Sequence, residues 1–293
     1  MPDRRPRTAA VIGAGLLGID LVDRLTRSTT LYCALVVGRP GASTGLRRAA
    51  EMGVATSTAG VEAISSRDDI EVVFDASDAA ANSTHWPALR GTDVLLVNLT
   101  PSGAGQMVVP TVNGHQAHTN RHLNLITCGG QAALPILAAI ARHCSPDYAE
   151  IVTTAASATV GPAARRNLDD YLDTTAFAAA RLAPQTEVKV LTFISPAIPA
   201  PAFRVHLTVL ARDLRAEALR ESIRLAANEV RGFAPGYEVS ALTLEHGRVT
   251  ATMTVTAHSP RLPAFAGNVE IINAAAVELA ERHVANLELA GTP

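Results

Sequence analysis

The segment Ile126-Thr127-Cys128-Gly129-Gly130-Gln131-Ala132-Ala133-Leu134-Pro135 puts a lone thiol where an extended run gives way to a helix. The thiolate is the nucleophilic form of cysteine. Unpaired N–H groups at a helix N-terminus favour it by about 0.3–1 kcal/mol through the dipole alone. The expectation is therefore a lowered thiol pKa at Cys128, with first-turn amides able to hold an oxyanion. Gly129 and Gly130 are expected to free the backbone and open the site, and Pro135 suits the first turn of a helix running to about Arg142. The plainer reading of a single cysteine is a buried structural thiol.

A second chemical element is Gly13-Ala14-Gly15-Leu16-Leu17-Gly18. The G-x-G-x-x-G spacing is a weak signal alone, but here it follows an apolar run (8–12) and opens a helical pattern through Ile19, Leu21, Val22 and Leu25. Such glycines allow a tight turn and close backbone approach to a pyrophosphate on the helix N-terminus. The next strand (31–37) should end in Asp or Glu to bind a free ribose 2′-hydroxyl, yet it ends Gly38-Arg39-Pro40. Arg39, with Ser43 and Thr44 nearby, either accepts a 2′-phosphate or is an exposed arginine that contacts nothing. The expected cofactor is NAD or NADP, with NADP raised by Arg39.

These groups need elements to position them. Apolar strands at 72–74, 94–97 and 123–126 alternate with helical candidates at 45–51 and after Cys128, the rhythm of a doubly wound parallel sheet. After about Ala149 the texture changes. A strand at 150–154, a long helix at 162–182, a connection through Pro196, Pro199 and Pro201, a strand at 203–210 and a helix at 214–230 follow one another. Two antiparallel strands (239–245, 249–257) flank His246-Gly247-Arg248 as a hairpin turn, and 268–289 is a closing alanine-rich helix. The fold class is α/β. An N-terminal Rossmann domain (1–130) precedes an α+β domain (131–267), and the closing helix (268–293) returns to the nucleotide domain.

With 293 residues, 48% of them hydrophobic and 18% charged, the chain buries a large core, and its net charge of −2 argues against nucleic acid or an anionic membrane as partner. Three cysteines, an odd number, argue against a disulfide framework and for a cytoplasmic enzyme in a reducing compartment. The basic start Met1-Pro2-Asp3-Arg4-Arg5-Pro6-Arg7 reads as neither signal peptide nor span, because Gly13, Gly15, Gly18 and Asp20 interrupt the apolar stretch behind it. His115, His118 and His122 lack a completing Cys or carboxylate, so no metal is expected. Cys33 reads as core and Cys144 as inert. Asp75 and Asp78 either border the cofactor crevice or cap a helix; Asp169, Asp170 and Asp173 read as a wet helix face.

Taken together these residues resemble the acylating acetaldehyde dehydrogenases, whose semialdehyde-dehydrogenase-like second domain the α+β half would share. The resemblance runs through 13–18, Phe74-Asp75-Ala76-Ser77, Asn98-Leu99-Thr100-Pro101 and Val108-Val109-Pro110-Thr111-Val112-Asn113. It continues through Thr127-Cys128-Gly129-Gly130-Gln131-Ala132, Tyr148-Ala149-Glu150-Ile151-Val152, 161–167 and Ala266-Gly267-Asn268. It implies that Cys128 carries an acyl thioester and that Gly13, Ala14, Gly15 and Leu16 form the first cofactor loop. By the same resemblance Thr159, Val160, Gly161, Pro162, Ala163, Ala164, Arg165, Arg166 and Asn167 form a second cofactor segment, and Asn268 contacts the cofactor. The implied reaction joins a small aldehyde to coenzyme A as acyl-CoA, with hydride going to the nicotinamide. A homo-oligomer and an aldolase partner are implied with it.

The chain departs from that pattern. Where the family carries Met-Arg-Asp, its aspartate assisting the cysteine, this chain has Phe203-Arg204-Val205-His206, so Val205 replaces the carboxylate. His206 can serve as the base only if a bulge turns it to the other face of its strand. The stretch between Pro235 and Ala266 is shorter than in the family, and Ser-Ala-Gly-Pro-Gly-Thr-Arg becomes Thr159-Val160-Gly161-Pro162-Ala163-Ala164-Arg165. Two further readings follow: an NADPH-dependent biosynthetic reductase of another acyl thioester or acyl phosphate, and a weakened paralogue that acts as a binding partner.

Overall fold

Strands covered on both faces must be apolar throughout, and the runs of the first half meet that demand. Ala9, Ala10, Val11, Val73, Phe74, Leu95, Leu96 and Val97 are fully buried. In the computed structural model, which describes residues 5–40, 43–212, 214–245 and 247–290, they lie in three of the seven strands of one sheet. The seven are β1 (Arg7–Ile12), β2 (Leu31–Val37), β3 (Ala55–Ser57), β4 (Val72–Asp75), β5 (Leu95–Asn98), β6 (Gln106–Met107) and β7 (His122–Asn124). They form one parallel sheet in the order β3-β2-β1-β4-β5-β7-β6. Helices α1 (Leu16–Leu25), α2 (Thr44–Glu51), α3 (Glu62–Ser65) and α4 (Ala79–Leu89) connect the strands. Because β2 leaves β1 on one side and β4 lies on the other, the chain reverses at the β1 and β4 ends, where such folds take ligands.

The chain divides into two units. The first comprises Met1–Val108, Gly114–Leu125 and Ala276–Pro293; the second comprises Val109–Asn113 and Ile126–Ala275. Residues 126–130, placed with the nucleotide-binding half by the sequence reading, therefore group with the second unit.

In the second unit α5 (Pro110–Asn113), α6 (Cys128–Ala141), α7 (Pro162–Arg166), α8 (Leu168–Leu182) and α9 (Ala216–Phe233) accompany a five-stranded sheet. Its strands are β8 (Pro146–Ala156), β9 (Glu187–Ser195), β10 (Phe203–Ala211), β11 (Tyr237–Glu245) and β12 (Arg248–Val255), in the order β11-β12-β10-β8-β9. All pairs are antiparallel except β8 with β9. Burial alternates along β10 and β12, as expected where one face meets helices and the other does not. The closing helix α10 (Gly267–Ala290) starts in the second unit, and from Ala276 onward it belongs to the first. There Glu281 accepts from Ser28 Oγ at 2.8 Å, and His283 Nδ1 lies 2.7 Å from the Ala117 carbonyl.

Local differences from the sequence reading have identifiable causes. The expected helix at 162–182 is two helices, α7 and α8, parted at Asn167, whose φ of −103° and ψ of 29° leave the helical region. Strand β9 escaped notice because Lys189 and Thr192 break its apolar alternation. The turn residue His246 lies outside the described residues.

Candidate active site

Two groups of residues carry chemistry, one in each unit. In the first unit Gly13 follows β1 at a φ of +103°, a backbone that favours glycine. A Cβ at Gly18 would overlap the Gly13 carbonyl oxygen, so packing alone requires that glycine. Gly15 differs: a Cβ there would meet nothing within 4 Å. It is also the N-cap of α1 and supplies no side-chain bond to the first turn, whereas Ser43 caps α2 and Asp78 caps α4. Open space at a helix N-terminus suits a pyrophosphate. Ala14 and Leu16 flank this opening, and Leu16 is 40% exposed.

The loop beside it is held by a buried carboxylate. Asp75 accepts from Ser77 N (3.1 Å), Ser77 Oγ (2.5 Å) and Asn82 Nδ2 (2.7 Å), and His85 Nδ1 lies at 2.7 Å. Its bonds fix residues 75–77, whose Ala76 carbonyl abuts Gly13. Asp78 acts as a helix cap, accepting from Ala81 N at 2.9 Å. Arg39 is exposed just beyond the end of β2. His122 stacks on Trp86 with centroids 4.6 Å apart.

In the second unit Cys128 is the first residue of α6, capped by Thr127, whose Oγ1 accepts from Gly130 N at 2.9 Å. The helix thus starts seven residues before Pro135, which lies inside it. The turn into it is made not by the glycines but by Ile126, at a φ of +64°. For a β-branched residue that is strained by about 1–3 kcal/mol, and such strain concentrates at functional sites. Gly129 serves close packing instead: a Cβ there would overlap Tyr171 Oη and Thr153 Oγ1.

Tyr171, on α8, was not singled out from the sequence. Its hydroxyl lies 3.6 Å from Cys128 Sγ, accepts from Gly129 N at 3.0 Å and donates to Thr153 Oγ1 at 3.4 Å. One turn on, Thr175 Oγ1 lies 2.7 Å from Thr127 Oγ1. Nothing in the local sequence marks Tyr171, which reads as part of a helix with a wet face at Asp169, Asp170 and Asp173.

Three expectations are corrected. Burial raises the Cys128 thiol pKa, outweighing the lowering by the Tyr171 hydroxyl and by the Gly129 and Cys128 amides. Of the first-turn amides, those of Gly129 and Gly130 are already bonded to Tyr171 and Thr127, so they do not wait for an oxyanion. His206 is also not brought to Cys128. The pairing of β10 runs without a bulge from Phe203 to Leu210, so Val205 faces inward, fully buried, and His206 lies on the opposite, exposed face. There its Nδ1 is 3.0 Å from Thr252 Oγ1. Val205 pairs with Thr153, and the side-chain row toward Cys128 therefore carries no carboxylate at either position.

A raised thiol pKa has a testable consequence. Alkylation of Cys128 is expected to be slower than that of a free cysteine at neutral pH and to rise through a midpoint above the free-thiol value of about 8.5. Site-resolved labelling against pH checks this, and a midpoint below that value would contradict it. Cys33 is buried, its pKa pushed up to about 12. Cys144 donates to the Ile140 carbonyl.

The segment 159–167 is tied together by Arg165. Its guanidinium bonds the Val160 carbonyl (3.1 Å) and Ser157 at both the carbonyl (3.1 Å) and Oγ (2.8 Å). Thr159 and Asn167 are buried; Gly161, Pro162, Ala164, Arg165 and Arg166 are exposed, with Val160 and Ala163 between. Asn268 Nδ2 donates to the Thr159 carbonyl at 3.2 Å, while its buried Oδ1 has no protein donor. An orphaned acceptor of this kind fits a ligand amide. Taken separately, the open space at Gly15 fits a phosphate and the orphaned Asn268 Oδ1 fits a donor group of a ligand.

A family model described as prokaryotic acetaldehyde dehydrogenase, dimerisation, matches residues 128–263. The acetaldehyde dehydrogenase of Streptomyces griseus subsp. griseus is 45% identical over 290 residues, covering 97% of this chain and 94% of that protein. The chain belongs to the prokaryotic acetaldehyde dehydrogenase family. Another relative, the acetaldehyde dehydrogenase of Pectobacterium atrosepticum, is 36% identical over 278 residues, covering 92% and 93%. The fold is shared more widely. Aspartate semialdehyde dehydrogenase II of Vibrio cholerae, solved as a complex with ASA, superposes with a TM-score of 0.67 at 14% identity, covering 96% of this chain and 99% of that one.

Proposed function

We propose that the chain is a CoA-acylating aldehyde dehydrogenase that interconverts a short aliphatic aldehyde and its acyl-CoA. The observation that carries this is Cys128 at the first residue of α6, its sulfur lying against its own and the Gly129 amides and the Tyr171 hydroxyl. Once deprotonated, Sγ adds to the aldehyde carbon and the carbonyl oxygen becomes an alkoxide. A bound nicotinamide supplies the acceptor for the hydride that leaves that carbon, and the product on Cys128 is a thioester. The thiolate of coenzyme A then attacks the acyl carbon, and Cys128 leaves as thiolate.

For the cofactor, Gly13–Gly18 is proposed to take the pyrophosphate in the first unit; in the second, the 159–167 segment and Asn268, whose Oδ1 has no protein donor, are proposed as further cofactor-contacting residues. Val205 leaves no carboxylate to take the thiol proton, so solvent hydroxide is the acceptor and activity follows the alkaline limb set by the raised thiol pKa. A homo-oligomer is proposed on the strength of the dimerisation model over 128–263. Among the described residues no helix is long and apolar enough to cross a membrane, and a cytoplasmic location is proposed from cysteine usage.

Reduced-nicotinamide absorbance with acetaldehyde or propanal, coenzyme A and NAD or NADP tests the reading. Turnover that requires both coenzyme A and Cys128 supports it. A folded, nucleotide-binding chain inactive with these substrates would move the proposal to the reduction of a different acyl thioester, the reading that Arg39 favours. Arg39→Ala is expected to weaken NADP(H) by about tenfold, the loss of a charge-assisted phosphate contact, and to leave NAD(H) unchanged. Equal losses for both would refute that role.

A further inference from the structure

We propose that Tyr171 is a catalytic residue whose hydroxyl proton moves its hydrogen bond from Thr153 to Cys128 Sγ when the thiol ionises, stabilising the thiolate while its oxygen continues to hold the Gly129 amide. This rests on the reading of Cys128 as nucleophile.

The geometry limits what the hydroxyl can do. A phenol has one proton to give, and Oη has acceptors at 3.4 Å (Thr153 Oγ1) and 3.6 Å (Cys128 Sγ), while Gly129 N–H occupies one of its acceptor positions. With the thiol protonated, S–H donates to Oη and Oη–H donates to Thr153. When the thiol proton leaves to solvent, the sulfur turns from donor to acceptor, and Oη–H swings to it without any other heavy atom moving. Thr153 can release its bond at little cost, because a hydroxyl acts as donor or acceptor.

Three observations favour this role over one of packing alone. Gly129 has no side chain at the one place where a Cβ would overlap both Tyr171 Oη and Thr153 Oγ1, so the close approach of all three is built into α6. Burial and the neighbouring Cys128 hold the Tyr171 pKa well above 10.0, so the group stays a phenol, and hence a donor, over the working range. Val205 pairs with Thr153 in the β10–β8 register, so at this position the sheet offers a hydroxyl and no competing carboxylate.

The test is the pH profile of Cys128 alkylation by iodoacetamide, resolved by peptide mass mapping so that Cys33 and Cys144 do not contribute, in the full chain and in Tyr171→Phe and Thr153→Val. Tyr171→Phe is expected to raise the midpoint by about one unit and to slow labelling at pH 8 about tenfold, with turnover recovering at higher pH. Thr153→Val removes only the competing acceptor and is expected to leave the midpoint unchanged or lower. An unchanged midpoint in Tyr171→Phe overturns the proposal. So does an upward shift in Thr153→Val, which would mark lost packing rather than a lost donor, and this arm decides the matter even if Tyr171→Phe fails to fold. The Cys128 reading falls separately: turnover that survives in Cys128→Ala removes the nucleophile, whereas Cys128-dependent turnover with identical labelling profiles removes only the role of Tyr171.

Discussion

Replacing Cys128 with alanine is expected to lower turnover by at least about 10³-fold, because the substitution removes the atom to which the acyl group is attached and no neighbour can replace it. Tyr171 stays a phenol, Thr153 is a weak nucleophile, and His206 is on the far face of β10. Stability should change little, by about 1 kcal/mol, since the cap on α6 is Thr127 and the Gly129 amide keeps its bond to Tyr171. Steady-state rates and a thermal melt on the same preparation check both halves. Residual turnover within tenfold of the parent would sink the covalent mechanism.

The second large effect separates two glycines three residues apart. Gly18→Ala forces a Cβ into the Gly13 carbonyl, so the loop between β1 and α1 must shift and both stability and nucleotide affinity should fall. A strain of about 1–3 kcal/mol is the scale for such overpacking. Gly15→Ala meets no protein atom, so the chain should melt at the parent temperature, or slightly above it. Nucleotide affinity should nonetheless fall tenfold or more if the open space above α1 holds the pyrophosphate. Titration of NAD(H) and NADP(H) alongside the melt distinguishes the two. A Gly15→Ala chain that binds nucleotide normally would place the phosphate elsewhere.

Much of the fold was legible because its signals are local. Continuous apolar runs at 8–12, 31–37 and 72–74 announced strands covered on both faces, and their alternation with helical periods announced a parallel sheet. Misplaced boundaries have equally local causes. Pro135 was read as a first-turn residue because proline favours that position, yet α6 tolerates it in its interior, where surrounding packing decides. The pairing of β8 with β9 depends on contact between distant segments, and the mixed polarity of β9 hid it.

By itself the sequence determined the glycine loop, the thiol at the start of a helix and the family membership, since each is written in the spacing of neighbours. Tertiary structure alone decided the direction of the thiol pKa, the face of His206, the purpose of Gly129 and the orphaned oxygen of Asn268. Tyr171 reaches Cys128 across 43 positions of chain. The dipole of α6 can be read from a few residues, but the burial that outweighs it at Cys128 depends on what the rest of the unit lays over the sulfur. Desolvation is a property of enclosure, and enclosure is made by residues far apart in sequence.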